Sequence, residues 1–187
     1  IRLQATGKSE LKNFNHLEIL NQPVFFHGDA FFAGFYLNEI LLRLCPLEEA
    51  MPQTFQQYQL ILLQLQELAK HQQATLFLKQ ILRQFEYVLL QELGYAIDFF
   101  FFLNQNVINP LQHYQFQLND GFAPVYRESR ATLLGSSVIL MQDYEQGLDF
   151  SPEQLSFLGK LYRQMISALL GDRVLKSRQL WIQNTQT

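Results

Sequence analysis

The chain has 187 residues, 48% of them hydrophobic, enough for one sizeable core with a smaller module attached. A net charge of −3 does not suggest a strong nucleic-acid binder, and a single cysteine, Cys45, excludes an internal disulfide framework and any cysteine-based zinc site. The longest apolar runs, such as Ile97–Leu103 interrupted by Asp98, are far too short to cross a bilayer, so a reducing cytoplasm is expected.

The first residues alternate like a strand leading into a turn. Arg2–Thr6 and Leu11–Phe14 are expected as two short strands around Gly7–Lys8. Because the chain opens on Ile1 and not on methionine, it looks like a beginning in mid-domain. Asp29 stands where a helix N-cap is expected, ahead of Phe31, Phe32, Phe35, Tyr36, Ile40 and Leu44, and Pro46 follows as a stop. This helix is apolar almost all round, which predicts a central, buried position. Pro52 opens a second helix with Phe55, Tyr58, Ile61, Leu62, Leu65 and Leu68 on its apolar face and glutamines on the other. After a loop at His71–Gln73, a third helix runs from about Ala74 to Leu93, with Leu78, Ile81, Leu82, Phe85, Val88 and Leu89 inward and Gly94 in the C′ position. Three consecutive helices joined by short loops predict an antiparallel bundle.

The middle of the chain changes character. Phe99–Phe102 is too apolar to be left in water, and Gln115–Leu118, Asn119–Gly121 and Phe122–Val125 spell a β-hairpin with an Asp-Gly turn. Pro124 places its strand at an edge. A further helix begins near Ser136. Ser151–Pro152–Glu153–Gln154 is a helix N-terminal signature, continued by Leu155, Leu158, Leu161, Tyr162, Met165 and Leu169 to Gly171, and Leu175–Gln183 forms a last short helix.

Enzyme motifs are missing. His16, His27, His71 and His113 are scattered without metal-ligand spacing, Gly135–Ser136–Ser137 lacks the context of a nucleophile elbow, and Glu48–Glu49 belongs to a solvated helix-end loop. No catalysis, metal or cofactor is expected. Charge is unevenly spread. Lys160, Arg163, Arg173, Lys176 and Arg178 against Asp172 give the C-terminal segment a charge of +4, which leaves −7 for the rest of a chain with net charge −3. A basic tail on an acidic body points to an anionic partner or to a solvated helix face. Arg83 stands among Leu78, Ile81, Leu82 and Phe85, where a guanidinium at the edge of an apolar surface can hold a carboxylate bidentately. The competing reading is a salt bridge to Glu86 or Glu92.

Four segments in order carry a family resemblance over essentially the whole chain: Gly7–Lys12, Tyr36–Leu37–Asn38–Glu39–Ile40–Leu41–Leu42–Arg43, Arg83–Asp98 with Gly94–Tyr95, and Leu175–Lys176–Ser177–Arg178. Together they resemble the recombination mediator family RecO, in its cysteine-free branch. The resemblance implies a non-enzymatic bacterial DNA-repair protein of the cytoplasm, associated with the nucleoid. It would bind single- and double-stranded DNA, anneal complementary strands, engage the acidic C-terminal tail of the single-stranded DNA-binding protein (SSB), and act with RecR in loading a recombinase. Arg83 matches an arginine of the family's LRRFE-like motif and is the expected tail ligand. Leu82 and Phe85 would supply an apolar surface, and Lys79, one turn earlier, a second positive charge on grounds of geometry alone.

Two features depart from the pattern. Many family members carry four cysteines after the Gly-Tyr turn, where this chain has phenylalanines and a hairpin, so a hydrophobic cluster is expected to hold that module. Most strands of the family's N-terminal OB-fold, a main DNA-binding element, are absent. The expected fold is mainly α: residues 1–27 a remnant of the OB-fold and a linker, 28–94 a three-helix bundle, 95–130 a hairpin module, and 131–187 C-terminal helices packed on the bundle. Arg173 and Lys176, three apart, are expected to touch DNA phosphates, while Arg178 braces the last helix against an acidic residue of the bundle. The alternative is a helical adaptor that binds only protein.

Overall fold

The computed structural model describes the chain except residues 1, 8–12, 20–22, 96–100, 103–105, 118–120, 128, 130–131, 142–149, 172 and 186–187. Helices carry the body: α1 (Gly28–Leu44), α2 (Pro52–Glu67) with a 3₁₀ turn at Leu68–Lys70, α3 (Ala74–Glu92), α4 (Gly135–Leu140), α5 (Pro152–Leu170) and α6 (Lys176–Thr185). A two-stranded ribbon of β1 (Arg2–Thr6) and β2 (Asn13–Glu18) precedes them, with all of its described residues exposed. The second strand thus lies later than the expected Leu11–Phe14, and Leu11 and Lys12 fall outside the described residues.

The core follows the helical periodicity. Leu78, Ile81, Leu82, Phe85, Leu89 and Leu90 of α3 are buried, facing α2 on one side and α5 on the other, where Leu155, Leu158, Leu161, Tyr162, Met165 and Ile166 complete the apolar layer. Each fully buried aliphatic or aromatic side chain of this kind is worth about 1.5–3 kcal/mol. The α1 helix packs mainly on α6, through Ala30, Ala33, Leu37 and Ile40 on its inner face. Phe55, expected on the inner face of α2, is instead 62% exposed. The turn occupied by Phe55 is the first of α2, where Thr54 takes the inward position.

Helix ends account for several boundaries. Ser151 and Gln154 form a reciprocal capping box at the start of α5, with Pro152 at the first helical position. At the end of α3, Tyr95 N–H donates to Leu90 and Gly94 N–H to Gln91, the Schellman arrangement, which Gly94 permits at φ 86°. Two other helices lack a cap of their own and borrow one. Glu92 of α3 accepts from the backbone N–H groups of Gln53 (3.1 Å) and Thr54 (2.7 Å) at the start of α2. Glu39 of α1 accepts from Lys176 N–H (3.0 Å), Ser177 N–H (2.8 Å) and Ser177 Oγ (2.6 Å) at the start of α6, and pairs with Arg43 at 2.6 Å. The last helix is therefore braced to the bundle through Ser177 and Glu39. Asp29, expected as an N-cap, lies inside the first turn of α1, and His27 holds the cap position without a side-chain bond.

The module after α3 contains β3 (Phe101–Phe102) paired with β4 (Asn106–Val107), and a second sheet of β5 (His113–Gln117), β6 (Gly121–Val125) and β7 (Thr132–Leu134) in the order β6-β5-β7. The hairpin pairs as read, in the register His113↔Val125 to Gln117↔Gly121, and Pro124 lies on an edge strand. The Asn119–Asp120 part of its turn and Phe99–Phe100 lie outside the described residues. The third strand, β7, carries no motif of its own and pairs with β5. Tyr114 and Phe122 are buried, and Phe122 meets Phe116 at 5.4 Å and Phe157 of α5 at 6.2 Å between ring centroids. An aromatic cluster thus seats the sheet on the helical body.

Burial works against ionisation of Glu39, but the Ser177 hydroxyl, two backbone N–H groups and Arg43 outweigh it and hold its carboxyl below the ordinary value. A lowered folded value means that the stabilisation is complete above the ordinary carboxylate range and is lost as pH falls through the lowered value. Glu39→Gln should cost about 1–3 kcal/mol at neutral pH, the scale of a hydrogen bond to a charged group. Urea unfolding should show the gap to wild type closing on acidification.

Candidate functional site

A groove of about 930 Å³ opens between α3 and α5, with α6 and the start of α1 along its other wall. Its chemistry differs from that of the whole chain. Among the described residues it is lined by six cations, Lys79, Arg83, Lys160, Arg163, Arg173 and Arg178, and by two carboxylates, Asp29 and Glu86, in a protein of net charge −3. Leu78, Leu82, Ile166, Trp181 and Ile182 supply the apolar part of the lining.

Glu86 is the buried centre of this arrangement, at 2% exposure. Its Oε1 accepts from Arg83 Nη2 at 2.9 Å and from the Tyr36 hydroxyl of α1, while Oε2 has no hydrogen-bond partner among the described residues. Two helices, α1 and α3, therefore meet at one carboxylate. Burial pushes the Glu86 carboxyl above its ordinary value, although Arg83, the Tyr36 hydroxyl, Arg163 and Arg178 all favour the charged form. Burial likewise raises the Tyr36 phenol, and the neighbouring Glu86 charge adds to the effect. Arg163 is pushed down from its ordinary value by partial burial and by the guanidiniums of Arg178 and Arg83.

Arg83 spans the gap from α3 to α5 because α5 has a glycine there. A Cβ on Gly159 would lie 2.6 Å from Arg83 Nη1. The guanidinium thus rests against bare helix backbone, with its Nε buried and without a hydrogen-bond partner among the described residues. An orphaned buried donor in a groove calls for an explanation, and an acceptor on a ligand is one. On the opposite wall the Trp181 indole stacks on Phe32 (6.1 Å, 17°) and donates to Asp29 at 2.9 Å, which fixes the ring at the apolar end.

Of the residues singled out from sequence, Lys79, Leu82, Arg83 and Arg173 line this one groove. Phe85 lies in the core behind it, against Tyr58 at 6.5 Å. Lys176 is exposed and is not part of the lining, so Arg173 and Lys176 do not share it. Of the two acids weighed as partners for Arg83, Glu86 takes it and Glu92 caps α2 instead. Sequence reasoning missed Arg163, Arg178, Tyr36 and Gly159 as members of the site. Arg163 and Arg178 were signalled only by the basic character of the C-terminal segment, Tyr36 only by its place in the Tyr36–Arg43 signature, and Gly159 by nothing in the sequence.

Residues 26–179 match the family described as "Recombination protein O C terminal". The chain belongs to the RecO family. It is 33% identical over 181 residues to a DNA repair protein RecO of Pseudomonas putida (strain W619), covering 97% of this chain and 75% of that protein. It is 34% identical over 176 residues to the DNA repair protein RecO of Pseudoalteromonas translucida (strain TAC 125), covering 94% and 71%. Three of the four RecO-like segments reach the groove: Tyr36 belongs to the second, Arg83 and Glu86 to the third, Arg178 to the fourth. Among the described residues of this RecO-family chain, no three His, Cys, Asp or Glu side chains come together as a metal site, and no helix is long and apolar enough to cross a membrane.

Gly159→Ala should displace the Arg83 guanidinium with a modest loss of stability, because alanine's gain in helix propensity of about 1 kcal/mol offsets part of the cost of the disturbed pair. A shift of the Arg83 Nε–H resonance in NMR, with a thermal midpoint within a few degrees of wild type, is the expected outcome.

Proposed function

We propose that this RecO-family chain is a non-enzymatic recombination mediator whose groove takes the acidic C-terminal tail of SSB. The observation that carries the reading is the position of Arg83: an arginine with an unpartnered buried Nε, in a groove that concentrates cations beside an apolar wall. A short peptide with acidic residues and a hydrophobic terminal side chain fits both halves of that lining. Lys79 and Leu82 flank Arg83 on the same helix, and Phe85 supports them from the core. RecR and single- and double-stranded DNA complete the proposed partners, with Arg173 and Lys176 as phosphate contacts of this part of the protein.

Arg83→Ala should weaken a fluorescent tail peptide by about 1.5–3 kcal/mol in anisotropy titrations, the range for a hydrogen bond to a charged group. Alanine also strips Glu86 of its counter-charge, so the variant should lose stability, since breaking a buried pair costs about 3–5 kcal/mol. Adding Glu86→Gln should restore the thermal midpoint without restoring the peptide, which separates the two effects. Equal affinity of wild type and Arg83→Ala would remove Arg83 from the site.

For DNA, Lys176→Ala should weaken binding to all sequences alike and lower the salt slope by about one unit. Unchanged DNA affinity in Arg173→Ala/Lys176→Ala would favour a helical adaptor that binds protein alone.

A further inference from the structure

The proposed tail site leaves open which cations read the ligand's charge, and the geometry answers differently for each. Arg83 is already committed. Its Nη2 bonds Glu86 at 2.9 Å, and Glu86 is further tied to Tyr36, so part of its charge is compensated and only its buried Nε stays open to a ligand. Arg173, between α5 and α6, donates through Nε to the carbonyl of Leu170, the last residue of α5, at 3.3 Å. Arg163 on α5 and Arg178 on α6 are different. Both line the groove, and among the described residues neither makes a hydrogen bond or an ion pair. The carboxylate they face is Glu86, which they share with Arg83.

Three guanidiniums thus stand around one carboxylate, a local excess of two positive charges. Partial burial and the charges of Arg178 and Arg83 disfavour the charged form of Arg163, while Glu86 favours it. Water screens such a cluster only in part when one member is buried. An anion of charge −2 would remove the excess, and a guanidinium pair presents the fork geometry that carboxylates accept bidentately. Leu82 and Ile166 lie in the same lining, so an apolar side chain next to the charges would also find a surface.

We infer that Arg163 and Arg178 together form the exchangeable anion subsite of the groove, taking two carboxylates at the end of an acidic peptide, its α-carboxylate and a nearby acidic side chain. In this arrangement Glu86 fixes Arg83 as the floor of the site, and Arg178 is a ligand-reading residue and not a brace. The inference rests on the tail-binding reading and names the charges that this site recognises.

The test is a cycle between protein and peptide, using the chain as it stands. Two fluorescent peptides ending in acidic residues and a phenylalanine, one with a free C-terminus and one amidated, are titrated into wild type, Arg163→Gln, Arg178→Gln and Arg178→Lys. Amidation should weaken binding to wild type about tenfold, the scale of one lost charge-assisted contact. It should weaken binding less than about threefold in at least one of the two glutamine variants, whose affinity for the free-acid peptide is already lower by about tenfold. Arg178→Lys should recover part of the loss, and Lys70→Gln, on the far side at the end of α2, should change nothing. Thermal midpoints of the glutamine variants should stay near wild type. An equal cost of amidation in wild type and in both glutamine variants overturns the subsite while leaving the groove as the tail site. No binding of either peptide to wild type overturns the tail reading and this inference with it.

Discussion

The site depends on a buried carboxylate. Glu86 has almost no contact with water, and an isolated charge so placed would be costly to hold. The fold responds by bringing Tyr36 from α1 and Arg83 from its own helix to one oxygen, with Arg163 of α5 and Arg178 of α6 near enough to act through their charge. Hydrophobic residues of similar volume in place of the whole network would often be no less stable, as buried ion pairs seldom repay their desolvation. What Glu86 provides is arrangement. It draws four helices to one point and leaves more positive charge around that point than it neutralises.

The same device recurs at lower stakes. Glu39 and Glu92 each reach from one helix to cap the start of another, so that α6 and α2 begin where a distant carboxylate places them. This explains why segments far apart in sequence can act as one signature. Glu39 of the Tyr36–Arg43 segment and Ser177 of the Leu175–Arg178 segment are the two ends of a single interaction, 138 residues apart. Tyr36 and Glu86 are the ends of another, 50 apart. A loss at either end would leave a polar group stranded at the other, which ties the residue types together.

The electrostatic character of the protein is likewise local. An overall charge of −3 says little about a groove in which six cations face two carboxylates. Low-dielectric walls focus the field of such a cleft and draw anions to it at distances where the acidic remainder of the surface is screened by salt. Binding of an anion in the groove should therefore be sensitive to ionic strength despite the net negative charge of the chain.

Local physics was legible in the amino-acid order. The three-to-four-residue spacing of Leu78, Ile81, Leu82, Phe85 and Leu89 placed α3 and its inner face, Ser151 and Gln154 placed the start of α5, Gly94 placed a helix end, and the hairpin pairs as its strands were read. These rest on interactions spanning a few residues, which the sequence states directly. Asp29 shows where such reasoning stops: the residue type suits a cap, but the Trp181 indole, 152 residues away, claims its side chain. Phe55 follows the apolar period and is nevertheless outside, because Thr54, whose N–H bonds Glu92 of α3, takes the inward position of that turn. The groove belongs wholly to the tertiary structure. Arg83 could be singled out as an arginine among hydrophobes, but its companions Arg163 and Arg178 lie 80 and 95 residues further on, and Gly159 matters only because α5 passes beneath it. Sequence periodicity fixes which face of each helix is buried. Which helices meet, and so which charges share a groove, is decided only when those faces pack.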